Sequence, residues 1–513
     1  MFYSVMFPSA AKERPLETTE PESFKDLYLD QLINWVSFNK KVYGLPDFYR
    51  SPIDDPEIIE YRQAIARDLE SVEVQQIFNH FSETLFNVEM TMSGIRGQLA
   101  YDDKFGIDYL MRGRVIDCAE WYCHEINTLA VQLANRSFQS EGLRAFAEYI
   151  KTYVASPEFQ EVSAHSTRLR QKLLEVDFCL LVRYKSVSVV EYDGQKDYAK
   201  LLTESFSRFN QGENSTYKRV LPERASSDKV ENAILGMVAR IYKETFDDLA
   251  VFCKKYSDFF DRAIIRFSRE VQFYISWHET IKELKDAGLP FCYPKVTHSL
   301  DRVYGYDVFN MVIARDEASK IVLNDYELNV PERIIVITGP NQGGKTTFAR
   351  AFAQTHYIGS LGLPVPGREA ELFLFDKILT HFGREEDIET QNGQLRDDLL
   401  RLRNLLDQAT PRSLIIVNEV FASTTLSDAI VLGEHMMDKL VKLGAPVICV
   451  TFIDEMAQHG AETVSMVGVV NQEDPGARTY KIVRRPPDGR AYAESIAGKY
   501  KLTYAQLSGR LKK

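Results

Sequence analysis

The chain has 513 residues, which leaves room for about three domains. Its 45% hydrophobic and 26% charged residues exclude wholesale disorder, and a net charge of −11 excludes a surface coated in basic groups. Six cysteines exclude a disulfide scaffold and suit a reducing compartment such as the cytoplasm.

The first residues, 1–23, are polar and rich in Pro and Glu, and read as an irregular segment without a signal-peptide layout. No run of 18 apolar residues follows anywhere, so no membrane-spanning helix is expected. Residues 24–294 read as a helical core or lever region. Pro56 opens a long periodic stretch with acidic residues in its first turn, and a second helical run covers about 107–137. The segment FCLLVRYKSVSVVEY (178–192) alternates and is rich in Val, which favours strands. Asp193-Gly194 is a turn signal, so a small β-containing insertion is expected near 178–223. A helix or helix pair then covers about 229–287. Phe260, Ile264, Phe267, Val271, Tyr274, Trp277, Ile281 and Leu284 form one apolar stripe in it, and Gly288-Leu289-Pro290 ends it.

From 295 to 513 the pattern turns to α/β. The runs RIIVIT, SLIIV, PVICVT and VSMVGVV alternate with helical segments and predict a mostly parallel sheet covered on both faces. The fold class is therefore α plus α/β, a helical region followed by a P-loop domain.

Gly339-Pro340-Asn341-Gln342-Gly343-Gly344-Lys345-Thr346 fits G-x-x-x-x-G-K-[ST], after a strand and before the helical run that starts TTFARAF, with Thr347 next to Thr346. Backbone amides of such a loop curl around phosphate oxygens, and the helix N-terminus adds positive potential. Lys345 is placed to reach the β- and γ-phosphates of ATP, and Thr346 to ligate Mg²⁺. The strand SLIIV ends in Asn418-Glu419. ATPases of the ABC type carry an acid there that holds the Mg²⁺ water shell, followed by a Glu that activates water. Glu419 suits the base role, whereas Asn418 offers an amide oxygen without the charge.

These blocks resemble the MutS family of DNA mismatch repair ATPases. The resemblance runs through Leu323-Asn324-Asp325, ITGPNQGGKTT, YIGSLGLPVP, the block FDKILTHFGREEDIETQNGQLRDDLLRLRNLL, SLIIVNEVFASTT and TYKIVRRPPDGRAYAESIAGKYKL. It implies a DNA-binding ATP hydrolase acting as a dimer, with ATP and Mg²⁺ as cofactors, structured or mismatched DNA as partner, and no membrane. It also implies a trans signature loop at Gly393, Gln394 and Leu395. Three departures point to slow hydrolysis: Asn418 where the family has Asp, Gly393-Gln394 where it has Ser-Thr, and Phe452 after Thr451 where it has His. A nucleotide-gated scaffold with little hydrolysis is the alternative, and a small-molecule phosphotransferase a more distant one. The chain is short for the family. Phe81-Ser82-Glu83 and Phe146-Ala147-Glu148 match the mismatch-reading Phe-x-Glu only as tripeptides inside helical runs, so that wedge domain is expected to be missing.

Outside these motifs, Cys118, Cys123 and His124 have no common zinc spacing, and the two cysteines read as buried thiols. His356, His381 and His435 lack ligand partners at suitable spacing. Basic residues of 484–513, and Arg183, Lys185, Lys196, Lys200, Arg208, Lys218 and Arg219 of the insertion, are possible phosphate contacts. No DNA-binding residue is assigned.

Overall fold

The computed structural model describes residues 2–99, 108–184, 186–195, 229–383, 394–470 and 478–487. These divide into two compact units. One comprises 77–137 and 145–268; the other comprises 2–76, 138–144 and the chain from 269 onward. The sequence reading put a boundary at 294/295, after one continuous helical region. The structure divides the helical region itself: residues 2–76, 138–144 and 269–294 group with the α/β part.

The first unit is helical. The helices Tyr109–Ala134, Pro157–Leu174, Lys229–Ile241 and Lys243–Lys255 lie wholly within it. Phe146 stacks on Phe267 at 3.4 Å between ring centroids, and Phe78 meets Phe267 edge-on at 5.1 Å. Both Phe-x-Glu tripeptides thus supply core aromatics, because Phe81 and Phe146 are buried. The insertion begins with a hairpin, Phe178–Arg183 against Ser186–Glu191, as the alternation predicts. Its turn uses Tyr184 at φ +50° rather than a glycine. The expected helix or helix pair over 229–287 is three helices. The third, Arg262–Asp286, starts where the Asp261 carboxylate accepts from the amides of Ala263 and Ile264.

The second unit holds the sheets. Among the described residues a six-stranded sheet has the order Ile378–Phe382, Leu414–Asn418, Val447–Val450, Ile334–Thr338, Thr463–Val470, Arg478–Arg484. All neighbours are parallel except the last pair. Ile334–Thr338 is central and buried throughout, which explains its unbroken Ile/Val run. A four-stranded sheet of Lys295–Thr297, Glu369–Phe373, Arg302–Val308 and Asn324–Asn329 was not foreseen. Its strands carry Tyr, Glu and Arg, and the alternations in Asn324–Asn329 and Glu369–Phe373 are too short to stand out.

The apolar stripe is only part of the Arg262–Asp286 helix's burial. From Glu270 to His278 every residue is buried. Lys40 and Tyr49 meet Gln272, Ser276 and the Phe273 carbonyl, and the chain's own N-terminal segment, in which Phe2, Val5, Met6 and Phe7 are buried, meets Glu270 and Tyr274. Ser4 Oγ and the Val5 amide donate to Glu270 Oε2 at 2.7 and 2.9 Å. Tyr274 and Tyr61 donate to the carbonyls of Val5 and Ser4. Residues 2–7 form no helix or strand, yet they are part of the core. No described helix is long and apolar enough to cross a membrane.

Candidate nucleotide site

The central strand ends at Thr338, and the chain turns through Gly339–Gly344 into the helix Lys345–Ser360. Gly339, Gln342 and Gly344 have φ of +120°, +59° and +91°. Backbone of this kind turns successive amides to one side and makes an anion-binding concavity. Crowding fixes the glycines as much as the dihedrals do. A Cβ on Gly339 would come 3.0 Å from the Gly468 nitrogen, and one on Gly343 would come 2.8 Å from the Pro340 carbonyl oxygen.

Lys345 is 5% exposed. Its ammonium donates to the carbonyl oxygens of Gly339 and Pro340 at 2.8 and 3.1 Å, and to Asn341 Oδ1 at 3.3 Å. Burial lowers its pKa, the nearby Arg478 charge pushes the same way, and the Glu419 carboxylate opposes them. A cation held within the loop by carbonyls is a movable partner for phosphate oxygens. Thr346 Oγ1 donates to Asn418 Oδ1 at 2.8 Å, so the two expected metal-side residues meet. Glu419 follows at φ +54°, its amide bonded to the Val450 carbonyl at 2.8 Å, and the buried Phe421 sits at φ +64°. Two non-glycine residues in left-handed conformations within three positions mark a locally strained turn, a recurrent feature of functional loops. On the next strand's end Thr451 is buried and its hydroxyl accepts from the Ile453 amide, whereas Phe452 is 46% exposed.

A cavity of about 400 Å³ adjoins the loop and is lined by Gly344 and Thr347, together with Val308, Phe309, Ile321, Val322, Phe348 and Tyr480. Tyr480 is 51% exposed at φ +56°. Its Cα and Cβ would lie 3.5 Å from a Cβ on Gly344, so it borders the helix start. Asn324 ties this edge down: Oδ1 accepts from the Ile482 amide at 2.8 Å, and Nδ2 donates to the Tyr480 carbonyl at 3.2 Å. Sequence reasoning noted Asn324 but missed the cavity and Tyr480. Only the aromatic in an edge strand after the fifth sheet strand signalled it.

The loop residues Gly339–Thr347, Asn418 and Glu419 are therefore brought together. Gly393 lies outside the described residues. Gln394 begins the helix Gln394–Gln408, and Leu395 packs against the core of its own sheet. Cys118 and Cys123 are buried, with thiols pushed up to about 12 by desolvation. Among the described residues no group of three or more His, Cys, Asp or Glu could hold a metal. His356 is buried with its Nδ1 on the Phe352 carbonyl, His381 is buried near Asp398, and exposed His435 turns to the Val431 carbonyl. Of the basic residues in the insertion, Arg183 is described and exposed; Lys185, Lys196, Lys200, Arg208, Lys218 and Arg219 lie outside the described residues, as does 488–513.

In structural terms the site belongs to a mostly parallel α/β unit with a glycine-rich strand–loop–helix on its central strand and an Asn-Glu pair at the end of the next strand but one in the sheet. Residues 335–489 match the family model "MutS domain V". The DNA mismatch repair protein MutS of Brevibacillus brevis is 32% identical over 183 residues, 35% of this chain and 21% of the relative. That of Thermotoga maritima is 23% identical over 446 residues, 86% of this chain and 52% of the relative. The chain thus carries a MutS domain V in its C-terminal part and is similar to MutS proteins over most of its length. It spans from about a fifth to about half the length of these relatives.

Proposed function

We propose that this chain is a nucleotide-driven DNA-binding protein of the MutS type that binds ATP at the Gly339–Thr347 loop and hydrolyses it slowly. The observation that carries this reading is the meeting of Lys345, Thr346, Asn418 and Glu419 around one loop. The loop amides and the Lys345 ammonium hold the β- and γ-phosphates, and the apolar cavity beside Tyr480 takes the nucleoside. Glu419, fixed at the strand end, orients the attacking water and accepts its proton. The Thr346 hydroxyl and the Asn418 amide oxygen are hard oxygen donors within hydrogen-bond distance of each other, a set that fits Mg²⁺. They are the residues that would hold it. The ion would neutralise charge on the β- and γ-phosphates. Both donors are neutral, so the ion is held more weakly than by a carboxylate. Phe452 offers no polar group to align water. These two positions favour the second reading, a nucleotide-gated scaffold with little turnover.

DNA as partner is supported by the family and by the printed name of the relatives. We place the Gly393–Leu395 segment of a second copy over the γ-phosphate, so that ATP closes a dimer and moves the helices that hold DNA. Phosphate release and nucleotide retention test the chemistry. Glu419→Gln should retain ATP and release phosphate at least about tenfold more slowly than wild type. Wild-type turnover in that variant would remove Glu419 from the base role. If wild type itself retains ATP without releasing phosphate, the scaffold reading stands instead.

A further inference from the structure

The helix that follows the phosphate loop, Lys345–Ser360, meets two neighbouring strand ends with two side chains one turn apart. Thr346 Oγ1 donates to Asn418 Oδ1 at 2.8 Å. Four residues on, and so on the same helix face, the half-buried Arg350 sets its guanidinium carbon 5.3 Å from the centre of the Phe382 ring. Phe382 and Asn418 are not independent. They are register partners at the ends of the parallel strands Ile378–Phe382 and Leu414–Asn418. The four residues close a circuit in which Arg350 on Phe382 stands beside Thr346 on Asn418.

The guanidinium is also fixed from its other side. It lies 3.8 Å from the centre of the Tyr28 ring, and its Nε donates to the Asp26 carbonyl at 2.7 Å. The Asp26 carboxylate in turn accepts from Thr380 Oγ1 at 2.6 Å, two residues before Phe382 on the same strand. Phe382 is buried, and its carbonyl accepts from Arg401 at 3.1 Å. Burial disfavours the Arg350 charge. An apolar side chain could fill this place without that cost, so a flat cation here is explained by what it aligns rather than by stability.

We propose that Arg350 is a positioning residue for the metal side of the nucleotide site. Stacked on Phe382, it fixes the end of that strand, and with it Asn418, at the distance from the helix that lets Thr346 and Asn418 hold Mg²⁺ together. The inference rests on the reading of the loop as an ATP site with this pair on its metal side. It deepens that reading by naming a residue that acts through Phe382 rather than by touching nucleotide or ion.

The test is titration calorimetry of ATP on the full chain, in EDTA and at a series of Mg²⁺ concentrations. Arg350→Met keeps an unbranched chain between the two rings and removes the flat cation. Arg350→Lys keeps the charge but not the plane that stacks. Both variants should bind Mg²⁺-free ATP within about twofold of wild type, because the loop amides and Lys345 are untouched. Both should need about tenfold more Mg²⁺ for the half-maximal gain in ATP affinity, the usual effect of losing a group that orients metal ligands. Phe382→Leu should reproduce that shift, and combining it with Arg350→Met should add nothing further. Phe382→Leu also carries the test if the Arg350 variants melt early. A merely structural role would lower ATP affinity equally with and without Mg²⁺, and that result overturns the assignment. Wild-type Mg²⁺ dependence in Arg350→Lys would trace the effect to charge and overturns it too. The two failures are separable. ATP binding that Mg²⁺ strengthens alike in wild type and every variant rejects Arg350 alone; no ATP binding by wild type, or none that responds to Mg²⁺, rejects the reading beneath it as well.

Discussion

At position 343 a methyl group would sit 2.8 Å from a backbone carbonyl oxygen, that of Pro340. No side chain can move aside to relieve that contact, so Gly343→Ala must open the loop itself. It should weaken ATP binding by at least about tenfold while leaving thermal stability within a few degrees, because the loop contributes little to the core. Titration calorimetry and a melting curve separate the two effects, and unchanged affinity would show the loop to be more pliable than its geometry implies. Asn418→Asp makes the opposite change. It adds a carboxylate beside Thr346 Oγ1 and should tighten Mg²⁺ dependence and raise phosphate release by about tenfold, the scale of a charge-assisted contact. No gain in either quantity would mean that Phe452 or another departure limits turnover. Lys345, Thr346, Asn418 and Glu419 were legible in the sequence because strand, loop and helix are contiguous and the chemistry needs fixed spacing along the chain. Tyr480, as a cavity residue, was not. The other residues lining that cavity, within 308–351, lie far from it in sequence, and nothing local to it marks the cavity.

Among the elements, the N-terminal segment departs most from the sequence reading. Its composition reads as loose chain, yet Phe2, Val5, Met6 and Phe7 are buried and Glu270 takes two of its hydrogen bonds there. Burial of four such side chains contributes on the order of 6–10 kcal/mol, comparable to the whole stability of a domain. Deleting residues 1–8 should therefore unfold the second unit or lower its denaturation midpoint sharply, and a wild-type midpoint would contradict this packing. Four strands of the six-stranded sheet, Ile334–Thr338, Leu414–Asn418, Val447–Val450 and Thr463–Val470, read correctly as unbroken apolar runs, whereas the edge strands Ile378–Phe382 and Arg478–Arg484 are only partly buried and carry no such run. The four-stranded sheet did not read correctly, because its strands carry exposed Arg and Glu beside aromatics, as in the Arg302–Glu327 pair at 3.0 Å. Two buried imidazoles, His278 and His356, add a pH dependence. Burial pushes both down to about 4 from 6.5. Between those values the unfolded chain binds protons that the folded chain refuses, so stability falls as pH falls through the window. By pH 5 each should cost about 2 kcal/mol relative to neutral pH. In urea denaturation at pH 7.5 and 5, His278→Gln should narrow the gap between the two midpoints. An unchanged gap would show that His278 is not the titrating group.

For the whole molecule, each of the two units has its own core, and the proposed nucleotide chemistry resides entirely in the second. A protein that uses ATP to control DNA should bind duplex, mismatched and branched DNAs differently with and without nucleotide, at a fixed and stated salt concentration. It should also sediment as a dimer only with ATP present. DNA affinity indifferent to ATP would separate the nucleotide site from any DNA role. All of this depends on one grip. Equilibrium binding of ATP with Mg²⁺ to wild type and to Lys345→Ala tests it most directly. Measurable binding by wild type and at least about a hundredfold loss in the variant is the predicted result, since the ammonium is a charged partner in a buried loop. Equal affinities of the two proteins would place the triphosphate elsewhere and contradict the assignment.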